Sequence, residues 1–321
     1  MEQGPIVTVL HGGSAPDADL TAGMAVRAEV RYTEASGLAA ALRSADILFV
    51  YDFQSDAVPG AWHAADRLSW LHMGSTGVDP VMFPELCASD VVVTNTRGVF
   101  DTPIAEYVLG QILAFAKDLS GSLDLQRSHH WHHRESERVA GTNALVVGTG
   151  SIGRAVARLL RAAGMNVRGL GRRERLDDPD FGTVGTDLYA ELPSADYVVA
   201  IAPLTPETSN MFDAAAFAAM KPHARFVNVG RGELVDTDAL VRALDSGSIA
   251  GAALDVVDPE PLPDGHPLWD LPNVRITPHN SGDFTGWRTE IVAAFTENFD
   301  HWTAGRPLNN VVDKELGYVP G

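Results

Sequence analysis

Cysteine is almost absent from this 321-residue chain, which contains one, Cys87. A single cysteine cannot form an intrachain disulfide, so the sequence lacks the pattern of a domain held together by disulfides in an oxidising compartment. The segment Leu86-Cys87-Ala88 carries no neighbouring base that would activate the thiol. We therefore interpret Cys87 as a small buried hydrophobic residue and not as a nucleophile.

Positive charge is also scarce, because 24 Lys and Arg stand against 42 Asp and Glu and leave a formal net charge of −18. Nucleic acid and anionic membrane both need a positive surface and are excluded as expected partners, whereas a small anionic ligand needs only a local cluster of cations. No apolar run reaches the ~20 residues of a membrane span, and the N-terminus lacks the pattern of a signal peptide. We expect a cytoplasmic protein.

Short apolar runs alternate with helical or polar stretches along most of the chain, which indicates βαβ units, parallel sheets and an α/β fold. At this length two domains are expected. Strands are predicted at 6–10, 47–50, 70–73, 91–94, 144–147, 167–170, 197–200, 225–228, 251–254 and 274–276. Helices are predicted at 151–163, 214–220, 237–246 and 287–302.

A glycine-rich loop, Gly148-Thr149-Gly150-Ser151-Ile152-Gly153, joins the predicted strand 144–147 to the predicted helix 151–163. In a dinucleotide-binding loop the first glycine permits the tight turn, the second lets the backbone approach the pyrophosphate, and the third lets helix and strand pack closely. The helix N-terminus then offers N–H groups and partial positive charge to the phosphates. The strand–helix context favours this interpretation over a plain glycine turn.

The end of the next strand bears on which dinucleotide is bound. An NAD site usually has Asp or Glu there, roughly 20 residues after the first glycine, to bind the ribose hydroxyls. Here Gly171 stands at that place, followed by Arg172 and Arg173. Guanidinium groups pair with a 2′-phosphate, which an acid would repel. We predict that NADP(H) is preferred and NAD(H) possible; the alternative is that both arginines are ordinary solvated charges.

Three later segments each place one candidate catalytic side chain after a predicted strand: Arg231 in Asn228–Gly232, Glu260 in Pro259–Leu262 and His279 in Thr277–Gly282. Open α/β sheets bind ligands at the carboxyl ends of their strands. Arginine can grip a carboxylate bidentately, and an imidazolium can supply a proton near neutral pH. Taken singly, each residue could be structural: a turn cap, a surface acid and a core histidine.

The order and spacing of these segments, together with Ala202–Thr208 and Ala253–Val256, resemble the D-isomer-specific 2-hydroxyacid dehydrogenase family over nearly the whole chain. The resemblance implies that Arg231 binds the substrate carboxylate, that His279 is the general acid/base and that Glu260 orients it. It also places Asp255 near the nicotinamide carboxamide. The further cofactor contacts that it implies are Pro203, Thr208 and Val229.

The fold implied by the resemblance has two Rossmann-like or flavodoxin-like domains with parallel sheets. An NAD(P)-binding domain, 101–286, is inserted into a substrate domain, 1–100 plus 287–321. The implied reaction is NADPH-dependent reduction of a 2-oxo acid to the (R)-2-hydroxy acid by a homodimer. Whether the substrate is glyoxylate or hydroxypyruvate, or a bulkier oxo acid, stays open at this point.

The first domain is expected to contribute a substrate loop, in which Ser75, Thr76 and Gly77 form an anion-binding nest over the carboxylate; a plain loop is the alternative.

The run His129–His133 has metal-ligand spacing, but the reaction needs no metal, and we expect a solvated segment. Asp283 adds a negative charge after His279, and the effect of this charge on substrate choice is open.

A competing hypothesis for the whole protein is a nucleotide-sensing corepressor without significant turnover. The intact set of Arg231, Glu260 and His279 argues against this hypothesis.

Overall fold

A computed structural model describes residues 4–320, which form two compact units. The first unit comprises the chain up to Phe100 and from Phe284 onward, and the second comprises Asp101–Asp283. The second unit is therefore inserted in the chain between two segments of the first. The return to the first unit occurs after Asp283, whereas the sequence analysis placed it after residue 286, because the turn before the last helix has no apolar periodicity that would mark it.

The strands and helices follow the chain in alternation. The strands are β1 Ile6–Leu10, β2 Glu29–Thr33, β3 Ile47–Val50, β4 Trp70–Met73, β5 Val92–Asn95, β6 Asn143–Val147, β7 Asn166–Leu170, β8 Arg175–Asp178, β9 Gly182–Gly185, β10 Tyr197–Ala200, β11 Arg225–Asn228, β12 Gly251–Leu254 and β13 Val274–Ile276. The helices are α1 Ala18–Ala25, α2 Leu38–Leu42, α3 Ala57–Ala61, α4 Pro84–Cys87, α5 Asp101–Ala116, α6 Leu119–Arg127, α7 Ser151–Ala162, α8 Leu188–Glu191, α9 Ala214–Ala219, α10 Thr237–Asp245 and α11 Trp287–Thr303.

Each unit is built on one parallel sheet. The first has five strands in the order β2-β1-β3-β4-β5, and the second has eight in the order β13-β12-β11-β10-β6-β7-β9-β8. Every pair is parallel except β8 with β9, so the predicted α/β fold with parallel sheets is confirmed. In the second unit β6 lies between β10 and β7, where the strand order reverses, and ligands of open α/β sheets bind at such points.

The sequence predicted every inner strand except β9, and also the edge strands β5 and β13. The side chains of β3, β4 and β10 are entirely buried, and parallel strands covered on both faces carry continuous apolar runs. The predicted strand at 91–94 is found one residue later. The sequence analysis missed β2, β8 and β9, because these edge or near-edge strands carry glycine or charged residues in place of an apolar run.

Cys87, at the end of α4, is half-buried, so its interpretation as a buried residue was wrong: the helix has only four residues and leaves its last one partly exposed. Of the helices within residues 4–320, none combines the length and the apolar character that crossing a membrane requires.

The core of the first unit contains a buried histidine. His72 on β4 is fully buried beside Thr94 of β5, its register partner, and its Nδ1 lies 2.7 Å from Thr94 Oγ1. The same hydroxyl accepts a 2.8 Å hydrogen bond from Trp70 Nε1. The other ring nitrogen of His72 is buried without a hydrogen-bond partner among the described residues. Burial lowers the pKa of His72 to about 3.

We expect His72 to make the first unit acid-sensitive. The unfolded chain protonates this ring near its ordinary pKa and the folded chain only near 3, so stability is lost as pH falls below the unfolded value. The loss at about pH 5 relative to about pH 8 is about 2 kcal/mol. His72→Phe should remove this slope in urea unfolding followed by tryptophan fluorescence, whereas His63→Gln, at an exposed position of the same unit, should keep it. Parallel curves for His72→Phe and the wild type would contradict this role.

Candidate active site

Two glycines of the loop between β6 and α7 have no room for a side chain. Gly148 has a φ of 115°, and a Cβ on it would lie 2.6 Å from the carbonyl oxygen of Ile201. A Cβ on Gly153 would overlap the carbonyl oxygen of Gly148. The packing of the protein itself therefore requires glycine at both positions.

Gly150 differs, because nothing in the described part of the chain requires glycine there. Its φ is −76°, and a Cβ on it would meet no atom within 4 Å. As the N-cap of α7 it has no side chain to bond the first-turn N–H groups of Ser151, Ile152 and Gly153. An open space in front of a helix N-terminus fits a pyrophosphate group.

The turn after β7 begins with Gly171. A Cβ on Gly171 would lie 2.8 Å from Oγ1 of Thr149, so the Thr149 side chain occupies the space in which an acidic side chain at this position would begin. Arg172 and Arg173 follow, and both are exposed. Guanidinium groups beside a strand end that has no acid fit a ribose phosphate better than ribose hydroxyls alone.

The hairpin of β8 and β9, which follows the two arginines, is anchored to α7 by buried charge. Arg154 of α7 makes two hydrogen bonds of 3.1 and 3.0 Å to the Asp178 carboxylate and one of 2.8 Å to Asp180. Burial raises the pKa of Asp178, but the bonds from Arg154 and from backbone N–H groups outweigh it and lower the pKa to about 2. This ion-pair cluster fixes the chain directly after the arginine turn.

The loop after β10 is closed by its own side chains. The Thr208 hydroxyl donates to the carbonyl oxygen of Pro203 at 2.7 Å and accepts from Thr205 N at 2.8 Å. A hydrogen bond with Thr205 lowers the pKa of Glu207, and the charge of Arg172 adds to the effect. This loop and the arginine turn are therefore close enough for their charges to interact, at the edge of the sheet where β6, β7 and β10 end.

The turn that carries Arg231 follows β11 and is tightly constrained. A Cβ on Gly232 would overlap the carbonyl of Val257, so the backbone of this turn packs directly on the chain after β12. The buried Asn228 side chain closes the turn, donating to Arg231 O at 2.9 Å and accepting from Gly230 N at 3.1 Å. The Arg231 guanidinium donates to Gly230 O at 2.7 Å. Asn228 is a positioning residue that the sequence analysis did not single out.

His279 and Glu260 form a hydrogen-bonded pair. His279 Nδ1 lies 2.9 Å from Glu260 Oε2, and the other carboxylate oxygen of Glu260 accepts from Val257 N at 3.0 Å. Burial raises the pKa of Glu260, but the hydrogen bond and charge of His279, the Val257 N–H and the charge of Arg231 outweigh it and lower the pKa. Glu260 therefore stays ionised beside the imidazole, and among the described residues Nε2 of His279 has no hydrogen-bond partner.

The backbone of His279 is held in an unfavourable conformation. Its φ is 52°, in the left-handed region that costs a non-glycine residue roughly 1–2 kcal/mol. The buried Asp255, just after β12, supports it: Asp255 O accepts from His279 N at 2.8 Å. Its carboxylate accepts from Asn280 N at 3.0 Å and from Ser281 N at 2.9 Å.

The structure thus brings Arg231, Glu260 and His279 together, since they follow the neighbouring strands β11, β12 and β13 at one edge of the sheet. The same edge carries the glycine loop and the arginine turn. Val229, directly after β11, donates to the carbonyl oxygen of Ala200 and is buried. This arrangement can bind a dinucleotide and an anion and can transfer a proton from an imidazole that a carboxylate supports.

The loop after β4 belongs to the first unit and is stabilised by local hydrogen bonds. The Ser75 hydroxyl donates to Gly77 O at 2.7 Å, and the Asn95 amide donates to Thr76 O at 2.6 Å. Thr96 N donates to Ser75 O at 3.1 Å. The proposed anion-binding nest is thus an ordered turn, and its carbonyl oxygens accept hydrogen bonds from residues of the first unit.

The histidine run 129–133 follows α6 in an exposed segment without helix or strand. The rings of His130 and His132 lie 5.6 Å apart between centroids. Among residues 4–320, no group of three or more His, Cys, Asp or Glu is arranged to hold a metal ion.

Comparison with known proteins gives a consistent result. Residues 109–281 match the family model described as D-isomer specific 2-hydroxyacid dehydrogenase, NAD binding domain. A glyoxylate reductase of Thermofilum pendens is 34% identical over 79% of this chain and 77% of its own length.

Solved structures agree over nearly the full length. A D-isomer specific 2-hydroxyacid dehydrogenase of Xanthobacter autotrophicus Py2, in complex with NADPH and MES, has a TM-score of 0.83 and 29% identity, covering 98% of this chain and 100% of that one. The NADPH-dependent glyoxylate/hydroxypyruvate reductase of Sinorhizobium meliloti, in complex with NADP and sulfate, has a TM-score of 0.83 and 27% identity with the same coverage. Both relatives bind NADP(H) in a fold like this one.

Proposed function

We propose, since this chain belongs to the D-isomer-specific 2-hydroxyacid dehydrogenase family, that it catalyses the NADPH-dependent reduction of a 2-oxo acid to the (R)-2-hydroxy acid. The observation that carries the proposal is the His279–Glu260 hydrogen bond of 2.9 Å, with Arg231 close enough to help lower the pKa of Glu260. A proton donor, its supporting carboxylate and a carboxylate-binding cation are the protein groups that this reaction needs.

In the proposed mechanism Arg231 grips the substrate carboxylate and thereby fixes the adjacent ketone. The nicotinamide, when bound, supplies the hydride to the ketone carbon. His279 donates its Nε2 proton to the ketone oxygen, and the neutral ring then regains a proton from solvent. Glu260 accepts the Nδ1 hydrogen bond throughout, so it stabilises the charged ring before transfer and fixes its orientation.

The glycine loop, with Thr149, would hold the cofactor pyrophosphate, and Arg172 and Arg173 would bind the 2′-phosphate. Pro203, Thr208, Val229 and Asp255 are proposed as further cofactor contacts. Since the Thr208 hydroxyl closes its own loop, we expect this residue to act by shaping the loop.

The preference for NADPH can be tested at the arginine turn. Arg172→Ala/Arg173→Ala should lower the ratio of kcat/KM for NADPH over NADH by about 10²-fold, because two charge-assisted contacts to the phosphate are lost and NADH makes neither. Arg242→Ala, which removes an exposed arginine of α10, is the matched control and should leave the ratio unchanged. Equal losses with both cofactors, or a wild type that prefers NADH, would contradict the assignment.

The role of Glu260 predicts a shift in pH dependence. Because its lowered pKa keeps this carboxylate charged over the working range, Glu260→Gln removes a full negative charge beside the imidazole. The fall of reductive kcat/KM with rising pH should then begin about one pH unit lower, since a charged hydrogen bond worth roughly 1.5–3 kcal/mol is lost. Glu106→Gln, at an exposed position of α5, should keep the wild-type profile. An unshifted profile for Glu260→Gln would remove it from the mechanism.

A turnover assay with both reduced cofactors tests the function as a whole, with glyoxylate, hydroxypyruvate, pyruvate and branched 2-oxo acids as substrates. Tight NADPH binding without turnover of any of them would favour the corepressor-like alternative. Participation of Ser75, Thr76 and Gly77 in substrate binding, a cytoplasmic location and a homodimeric state stay predictions.

A further inference from the structure

A series of hydrogen-bonded side chains leads from the partly buried Tyr107 of α5, through the partly buried Thr277, to the buried Asp255 beside the loop that carries His279. Thr277 Oγ1 donates to Asp255 Oδ1 at 2.6 Å, and the phenol oxygen of Tyr107 lies 2.7 Å from Thr277 Oγ1. A threonine hydroxyl has one proton to donate. Because the carboxylate accepts that proton, Tyr107 must be the donor in its bond to Thr277. Tyr107 therefore donates to Thr277, and Thr277 donates to Asp255.

The phenol of Tyr107 is suited to donating this hydrogen bond to Thr277. Burial raises the pKa of Tyr107 to about 12, so it keeps its proton at any pH at which the protein works. Gln111, one turn further along α5, partly offsets this rise in the pKa of Tyr107. Through Tyr107, helix α5 thus donates the hydrogen bond that orients the hydroxyl of Thr277.

Asp255 is the point at which this chain meets the catalytic loop. Its carboxylate accepts from Thr277, Asn280 N and Ser281 N, and its carbonyl oxygen accepts from His279 N. A carboxylate offers about four acceptor positions; the described residues fill three of those of Asp255, which leaves one for a further donor such as a carboxamide. The loop cannot shift without breaking bonds to this one buried group.

We propose, resting on the function proposed above, that Tyr107 and Thr277 are positioning residues that hold His279 in its strained backbone conformation through Asp255. The left-handed φ of His279 must be stabilised by its surroundings, and Asp255 makes the hydrogen bonds that do so. A small displacement of the ring from the ketone oxygen would lower the rate of proton transfer much more than the binding of either substrate.

Thr277→Val removes the hydroxyl and keeps the shape of the side chain. We expect kcat for 2-oxo acid reduction to fall by about 10- to 100-fold while KM for the oxo acid and for NADPH change by less than about threefold. Thr277→Ser, which restores the hydroxyl, should recover kcat to within about threefold of the wild type. Tyr107→Phe should show a smaller loss of kcat. This variant tests the proposal if Thr277→Val does not fold.

A readout without cofactor or substrate is amide hydrogen exchange. In the cofactor-free protein the N–H groups of Asn280 and Ser281 should exchange at least about tenfold faster in Thr277→Val than in the wild type. Thr142→Val is the matched control: the Thr142 hydroxyl bonds Val139 O before β6, and the variant should change neither kcat nor the exchange of these amides.

Wild-type kcat and exchange in both Thr277→Val and Tyr107→Phe would overturn the proposal while leaving the proposed function intact. Equal effects in Thr142→Val would also overturn it, because general destabilisation would then explain the loss. Failure of the proposed function is a different result, in which the wild type itself turns over no 2-oxo acid.

Discussion

His279→Asn should lower kcat for 2-oxo acid reduction by about 10²- to 10⁴-fold, the usual contribution of a general acid. Asparagine is the substitution of choice because it tolerates a positive φ better than other non-glycine residues, and His279 has a φ of 52°. The backbone of the loop is thereby kept while the proton donor is removed. The dissociation constant for NADPH should stay within about threefold, since the glycine loop and the arginine turn are unaltered.

The control for this variant is His223→Asn. His223 is exposed and precedes β11, so it lies at the opposite end of the strands from the edge that carries the site. Its Nε2 lies 3.1 Å from Oδ1 of Asp196. Stopped-flow measurement of a single turnover separates the chemical step from product release. Near-normal turnover in His279→Asn would show that another group protonates the ketone.

Arg231→Gln should lower kcat/KM for 2-oxo acids by about 10²- to 10³-fold, as expected when one partner of a hydrogen-bonded ion pair is removed. The turn around Arg231 is fixed by Asn228 and by the contact of Gly232 with Val257, so we expect the substitution to remove the guanidinium and to leave the backbone of the turn in place. Arg231→Lys should recover part of the loss only, since an ammonium group cannot form the two parallel hydrogen bonds that a guanidinium offers a carboxylate.

A substrate without a carboxylate makes this test specific. A simple aldehyde should be a poor substrate of the wild type, and Arg231→Gln should reduce its turnover no further, because the contact that the variant removes is absent from the start. Loss of charge at Arg231 also removes one of the causes that lower the pKa of Glu260, but Glu260 stays ionised near neutral pH. Equal losses on the aldehyde and the oxo acid would mean that Arg231 supports the fold and not the carboxylate.

Much of the site was predictable because its parts are local in the chain. The glycine loop, the turn of Arg231 and the segment of His279 each follow an apolar strand within a few residues, and their order matches one family. The residues that hold these parts in place gave no such signal. Asn228 could not be separated from an ordinary strand-end residue, and Thr277 and Tyr107 lie 170 positions apart in the sequence.

The sequence by itself determined most of the strands and the position of the glycine loop, and it singled out Arg231, Glu260 and His279 as candidate site residues, because apolar runs and short motifs depend only on neighbouring residues. It did not determine β2, β8 and β9, which lie at or next to a sheet edge and whose charged residues and glycines form no apolar run. Only the tertiary structure decided that Thr149 occupies the space beside Gly171, that Asp255 supports a strained His279 and that Glu260 has a lowered pKa. Each of these depends on strands in register side by side, which brings distant residues into hydrogen-bonding distance and removes water from between their charges.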